Sequence, residues 1–157
     1  MRLLFPLLLA GLLAGPALAD PLSFDQPIHD AARLGSGKDV SRLLAADPKA
    51  RDARTALGSQ PLHLAAMNPD TTAMKALIAA GANVNARDNE GATPLHKAAY
   101  ASRTEHSRIL LEAGADPLAK TDNGRDATSM ARKVKADEVA GVISLWLLKG
   151  CKAGRPC

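Results

Sequence analysis

Thr93-Pro94-Leu95-His96-Lys97-Ala98-Ala99 has two counterparts upstream, Gln26-Pro27-Ile28-His29-Asp30-Ala31-Ala32 and Gln60-Pro61-Leu62-His63-Leu64-Ala65-Ala66. The three prolines are 34 and then 33 residues apart, and a further 33 residues leads to Ala127. There Asp126-Ala127-Thr128-Ser129-Met130-Ala131 reads as a fourth copy that lacks the Pro and the His. A fixed period of this length marks repeated supersecondary units that stack on one another. The segment makes local sense as a helix start. Thr93 can cap a helix, and Pro94 fits the first helical position, where no amide hydrogen is needed. Leu95, Ala98 and Ala99 then share one face, and two alanines in a row allow a neighbouring helix to come close.

Outward from this segment, Ser102 followed three residues later by Glu105 predicts a capping box that opens a second helix. Ile109, Leu110 and Leu111 give that helix its apolar stripe. Gly114, and Gly81 one unit earlier, predict left-handed helix ends. Val84-Asn85-Ala86-Arg87-Asp88-Asn89-Glu90-Gly91 reads as a projecting hairpin-like turn. Each unit is therefore helix, turn, helix, finger. One such unit cannot bury its own apolar face, so the units must stack into a continuous core with the terminal ones as caps. The end units do depart from the pattern. The first has an extra residue near Gly35-Ser36-Gly37 and carries Asp47-Pro48 after its second helix. The fourth ends in Val142-Ile143-Ser144-Leu145-Trp146-Leu147-Leu148, closed by Gly150, with Trp146 expected to cover the open end of the stack.

The period and the Thr-Pro-Leu-His core resemble the ankyrin repeat, over roughly residues 22 to 150. The resemblance implies an all-α fold: an ankyrin-repeat solenoid of about four helix-turn-helix units, with β-hairpin-like fingers. The units run approximately over residues 22–53, 54–86, 87–119 and 120–150. It also implies a non-catalytic protein–protein interaction module whose concave face, made of finger tips and first helices, holds a protein partner. The family's variable positions fall on Arg54, Arg87, Asn89, Glu90, Lys120, Asp122 and Arg125 in the fingers. In the first helices they fall on Arg33, Met67, Tyr100 and Lys133. Tyr100 among several arginines has the composition of an interface hot spot. Against this, any single Arg or Lys can be no more than a solvated charge.

The first nineteen residues stand apart from the fold. Arg2, the apolar run Leu3 to Leu13 and Ala17-Leu18-Ala19 read as a secretory signal peptide, with cleavage expected after Ala19. The run is short for a membrane span, so no membrane insertion is expected after cleavage. This leaves residues 20–150 as the repeat domain and 151–157 as a tail bracketed by Cys151 and Cys157. In an oxidising compartment these two cysteines are expected to pair, five residues lying between them. The chain resembles the small exported ankyrin proteins of Gram-negative bacteria, which implies a periplasmic address, with full secretion as the alternative. Two binding roles fit: a scaffold or chaperone-like partner of another exported protein, or a secreted effector that binds a host protein. The chain is expected to be monomeric.

Composition and motifs exclude other classes. Aromatic residues make up 3% of the chain against 46% apolar residues overall, which favours closely packed helices over a β-sandwich. Without Arg2 the net charge is a mild +3, spread along the sequence, and gives no case for nucleic acid. His29, His63 and His96 recur at one position, but equivalent points on stacked helices lie roughly 8–10 Å apart. Zinc ligands must converge to about 2.1 Å from the ion, so no metal and no cofactor is expected. In ankyrin repeats this histidine is structural, hydrogen-bonding in the loop region. His106, on a second helix, reads as a packing residue. Gly35-Ser36-Gly37-Lys38 lacks the earlier Gly and the following hydroxyl of a phosphate loop, since Ala32 and Asp39 stand there. No serine occupies a nucleophile elbow and no cysteine precedes Cys151. A hydrolytic enzyme is the remaining reading from another class.

Overall fold

The structure, a computed structural model, describes residues 25–155 and 157. The expected signal segment and its cleavage point lie outside the described residues. Among the described residues, eight α-helices form four pairs: α1 (Pro27–Leu34) with α2 (Gly37–Ala46), α3 (Pro61–Ala65) with α4 (Thr71–Ala79), α5 (Pro94–Tyr100) with α6 (Thr104–Glu112), and α7 (Ala127–Lys133) with α8 (Asp137–Leu148). The first helices stack α1 on α3, α3 on α5 and α5 on α7, while the second helices stack α2 on α4, α4 on α6 and α6 on α8. The first three units begin as the sequence predicts, with Pro27, Pro61 and Pro94 behind extended Gln26, Gln60 and Thr93. The fourth substitutes a side-chain cap, the Asp126 carboxylate accepting from the Ser129 amide at 2.7 Å.

The core is one cluster running through all four units. Ala32, Ala65, Ala66, Ala98, Ala99 and Ala131 are fully buried, and Leu62, Leu77, Leu95, Leu110 and Ile143 pack beside them. Small residues on facing first helices let the backbones approach, and the aliphatic residues fill the space under the second helices. Gly81 and Gly114 close α4 and α6 with φ of 82° and 100°, the left-handed ends expected of them. Among the described residues no strand forms. Each finger is instead a turn closed by two main-chain bonds: Thr55 N–H to Ser59 O at 3.0 Å with Gly58 N–H to Thr55 O at 2.9 Å, Asp88 N–H to Ala92 O with Gly91 N–H to Asp88 O, both at 3.0 Å, and Thr121 N–H to Arg125 O at 2.9 Å with Gly124 N–H to Thr121 O at 2.8 Å.

Two local expectations fail. Ser102 does not open α6. It sits at φ 57°, its amide donating to Ala99 O at 3.2 Å while the Arg103 amide donates to Ala98 O at 2.9 Å. Both residues thus finish α5, and α6 starts at Thr104. Lys135 repeats this left-handed turn one unit later, at φ 59°. Glu105, freed from capping, lies 3.6 Å from Arg108. Nor does Trp146 cover the open end: it is 8% exposed and belongs to the core, beside Arg108 and Glu112 of α6. Ser144 puts a half-buried polar residue at the position that the fully buried Leu111 occupies one unit earlier. Past α8 the tail folds back, with the Gly154 amide donating to Glu112 O at 3.0 Å. Cys151 and Cys157 form a disulfide-capable pair with Cα atoms 5.5 Å apart.

Candidate binding face

The recurring histidines tie each unit to the next. In His29, His63 and His96 the Nδ1 atom accepts from the main-chain amide of Gln26, Gln60 and Thr93, at 2.8, 3.1 and 3.2 Å. An Nδ1 that accepts leaves the proton on Nε2. Nε2 therefore donates across the unit boundary to Ala53 O, Ala92 O and Arg125 O, at 3.1, 3.1 and 3.0 Å. Those acceptors lie at the finger bases, so the struts hold each finger at a set height above its first helix. The fourth unit carries Ser129 at this position, and no later finger stands among the described residues.

Burial pushes the His63 and His96 imidazoles below their ordinary pKa, against the opposing pull of the carbonyls they donate to. His106 is shifted down for the same reason, and its Nε2 is buried without a partner. A lowered native pKa means that the unfolded chain binds more protons. These groups therefore contribute stability that is complete above about pH 6.5 and is lost as pH falls below it. Protonation would also place an Nδ1 hydrogen against the N–H it now accepts from. Urea midpoints are expected to be level from about pH 8 to 7 and to fall below about 6.5. A midpoint that rose on acidification to pH 5.5 would contradict the strut geometry.

Above the struts, fingers and first helices enclose an open hollow of about 410 Å³. Met67 and Met130 give it apolar lining, and Tyr100, 60% exposed, stands in it. Glu90 and Arg125 enter from the fingers, with Lys97 and Lys133 from α5 and α7. Arg125 and Lys133 are exposed and stand in no ion pair among the described residues. Lys97 is different, its ammonium lying 2.7 Å from the buried Asp88 carboxylate. The surface thus offers an apolar lining with two available cations, suited to side chains of an extended polypeptide. Residues 28–121 match the family model of ankyrin repeats, in three copies. The chain belongs to the ankyrin-repeat family. No curated protein matches it significantly. Ankyrin repeats are protein–protein interaction modules, and the family is in general non-catalytic. The matched span runs from α1 to the third finger, leaving α7 and α8, the copy without Pro and His, beyond it.

Within this ankyrin stack the residues expected to bind divide into three groups. Met67, Glu90, Tyr100, Arg125 and Lys133 line the common hollow. Others are occupied with the stack itself. Arg54 donates to Gly58 O at 2.8 Å and to Arg87 O on the next finger at 2.9 Å. Arg87 does the same one finger on, donating to Lys120 O at 2.7 Å with Asp122 at 3.6 Å. Asn89 donates through its side chain to Ala56 O at 3.0 Å. Arg33 lies 3.5 Å from Asp25 in the first unit. Lys120 and Asp122 are exposed on the third finger but are not part of the hollow's lining. Sequence reasoning missed Lys97, Thr121, Asn123 and Met130, all in the lining. The 33-residue register takes Met130 back to Lys97, so finding either position would have given the other, but neither is a large aromatic or an arginine that would mark it.

Proposed function

We propose that this ankyrin protein acts by binding rather than by chemistry, as a monomeric scaffold or chaperone-like partner of another exported protein in the periplasm. The hollow beside Tyr100 carries the reading: an open surface where Met67, Met130 and Tyr100 offer apolar contact beside two available cations. The disulfide-capable tail supports an oxidising address, and the sequence of residues 1–19 supports export. The partner segment is extended and places an apolar side chain against Tyr100, Met67 and Met130, with acidic groups toward Arg125 and Lys133.

Affinity capture from periplasmic extract, followed by mass spectrometry, identifies the partner, and variants then place it. Tyr100→Ala is expected to weaken binding by roughly 2 kcal/mol, about thirtyfold. Arg125→Glu with Lys133→Glu should slow association most at low salt. Arg54 and Arg87 are poor probes, since replacing them also cuts the bonds that link the fingers. Arg42→Glu with Lys75→Glu, on exposed positions of α2 and α4, should leave binding intact. If that control pair abolished capture and the Tyr100 variant bound normally, the partner would use the second-helix side.

A further inference from the structure

Another surface lies at the far end of the stack. The outer side of α8 presents Gly141, Leu145 and Leu148 at a helical spacing of four and three residues. Leu145 is 48% exposed and Leu148 84%, with Leu147 at 41% beside them where the helix ends. No acidic residue follows Glu138 in the sequence, whereas Lys149, Lys152 and Arg155 do. These three cations border one hollow around Gly150 and the two cysteines. Leu145 and Lys149 border the adjoining one with Arg108, Glu112 and Trp146. The apolar and cationic groups are therefore contiguous. They are also held in place, since the Cys151 amide donates to Trp146 O at 3.1 Å and the Gly154 amide to Glu112 O at 3.0 Å. The acidic groups nearby are Glu112 and Glu105, the latter 3.6 Å from Arg108.

We propose that the C-terminal half of α8 and the cationic tail form a docking surface for an anionic lipid membrane. Leu145 and Leu148 enter the boundary between headgroups and acyl chains, while Lys149, Lys152 and Arg155 meet lipid phosphates. Exposed aliphatic residues contiguous with three cations, against the single carboxylate of Glu112 in the adjoining hollow, combine apolar burial with attraction to anionic headgroups. No helix of the described residues is long and apolar enough to cross a membrane, so the attachment is peripheral. A second copy of this chain is a poorer occupant. A twofold interface on this face would bring the same three cations toward themselves. The surface shares no residue with the hollow at Tyr100, so a docked molecule keeps its protein-binding face.

Co-sedimentation with vesicles tests this. Vesicles of pure phosphatidylcholine are compared with vesicles holding about one-quarter phosphatidylglycerol, near 0.1 M salt. Parent and variants are produced by the same cells, so that any contribution of residues 1–19 is common to all. The parent is expected to partition at least about fivefold more strongly onto the anionic vesicles. Lys149→Glu with Lys152→Glu and Arg155→Glu should reduce that binding about tenfold. Leu145→Ser with Leu148→Ser should reduce it severalfold, with unchanged urea midpoints because both positions are exposed. Equal binding to the two vesicle types, or a triple variant that binds like the parent, overturns the proposal. So does a concentration-dependent dimer that the leucine variant makes monomeric in the absence of lipid, since this face would then belong to a second copy.

Discussion

Leu110→Ala is expected to lower the unfolding free energy by roughly 2–5 kcal/mol. Leu110 is fully buried on α6, and the repeat places Leu77 on α4 and Ile143 on α8 at the same point, both also fully buried. Truncation removes the transfer energy of three heavy atoms and leaves a cavity between neighbours that cannot collapse onto it, because main-chain bonds and the histidine struts fix their spacing. The third unit is internal, so the damage reaches the interfaces on both sides. In a repeat stack stability is close to a sum of unit and nearest-neighbour terms. A chain with about 5–15 kcal/mol in total cannot absorb such a loss quietly. Urea melts measure it directly. Leu148→Ala, at an 84% exposed position of α8, is the reference and should stay within about 0.5 kcal/mol. Equal midpoints for parent and Leu110→Ala would refute the stacking of α4, α6 and α8.

What could be read in advance follows a physical division. Pro61, Pro94, Gly81 and Gly114 act on the backbone within their own unit, so their type and spacing suffice to place helix starts and ends. The histidines recur because each boundary is tied by the same kind of strut, to equivalent carbonyls for His63 and His96 and to the near side of the first finger for His29. Ser102 misled because serine serves both as a helix cap and as a residue of a tight reversal, and the choice depends on whether Ala98 O and Ala99 O need its turn. Arg54 and Arg87 were read as binding residues because exposed arginines at variable positions have that composition. Their bonds to Arg87 O and Lys120 O run between fingers, a relation that side-chain type alone does not carry. Trp146 misled in the opposite way: a large aromatic in the last helix suggests a lid, whereas α8 turns it toward α6. In the hollow, the residues that line it had a pattern to follow, but the pairing of Lys97 with Asp88 joins a helix to the turn nine positions before it and has no counterpart in the other units.

That pairing supports the second large expected effect, a loss of about 2–3 kcal/mol in Asp88→Ala. The Asp88 side chain is 2% exposed, and Oδ1 accepts from the Glu90 and Ala92 amides, both at 2.9 Å. Oδ2 lies 2.7 Å from Lys97 Nζ. Truncation leaves two finger amides without an acceptor and an ammonium without its counter-ion. Lys97 is 22% exposed, so its ammonium can recover some water, which places the loss below that of a fully enclosed pair. The other fingers indicate which replacement should be milder. Thr55 and Thr121 close their turns with a hydroxyl, accepting from the Ser59 and Arg125 amides at 3.2 Å each. Asp88→Thr should accordingly keep the bond from the Ala92 amide while losing the ion pair and the acceptor for the Glu90 amide, falling between parent and Asp88→Ala. Asp88→Ala with Lys97→Met should regain part of the loss by removing the unpaired charge. The acid limb supplies an independent check. Burial pushes the Asp88 carboxyl up, but the Lys97 ammonium and the Ala92 and Glu90 amides outweigh it and hold the carboxyl below its ordinary range. A lowered carboxylate contributes stability above about pH 4 that is lost as pH falls through its native value. Asp88→Thr should therefore show a shallower loss of stability below that pH than the parent, while keeping the earlier fall near pH 6.5 that belongs to the histidines. If the variant kept the parent's full slope below pH 4, the pair with Lys97 would contribute nothing to the fold, and the finger would be closed by its main-chain bonds alone.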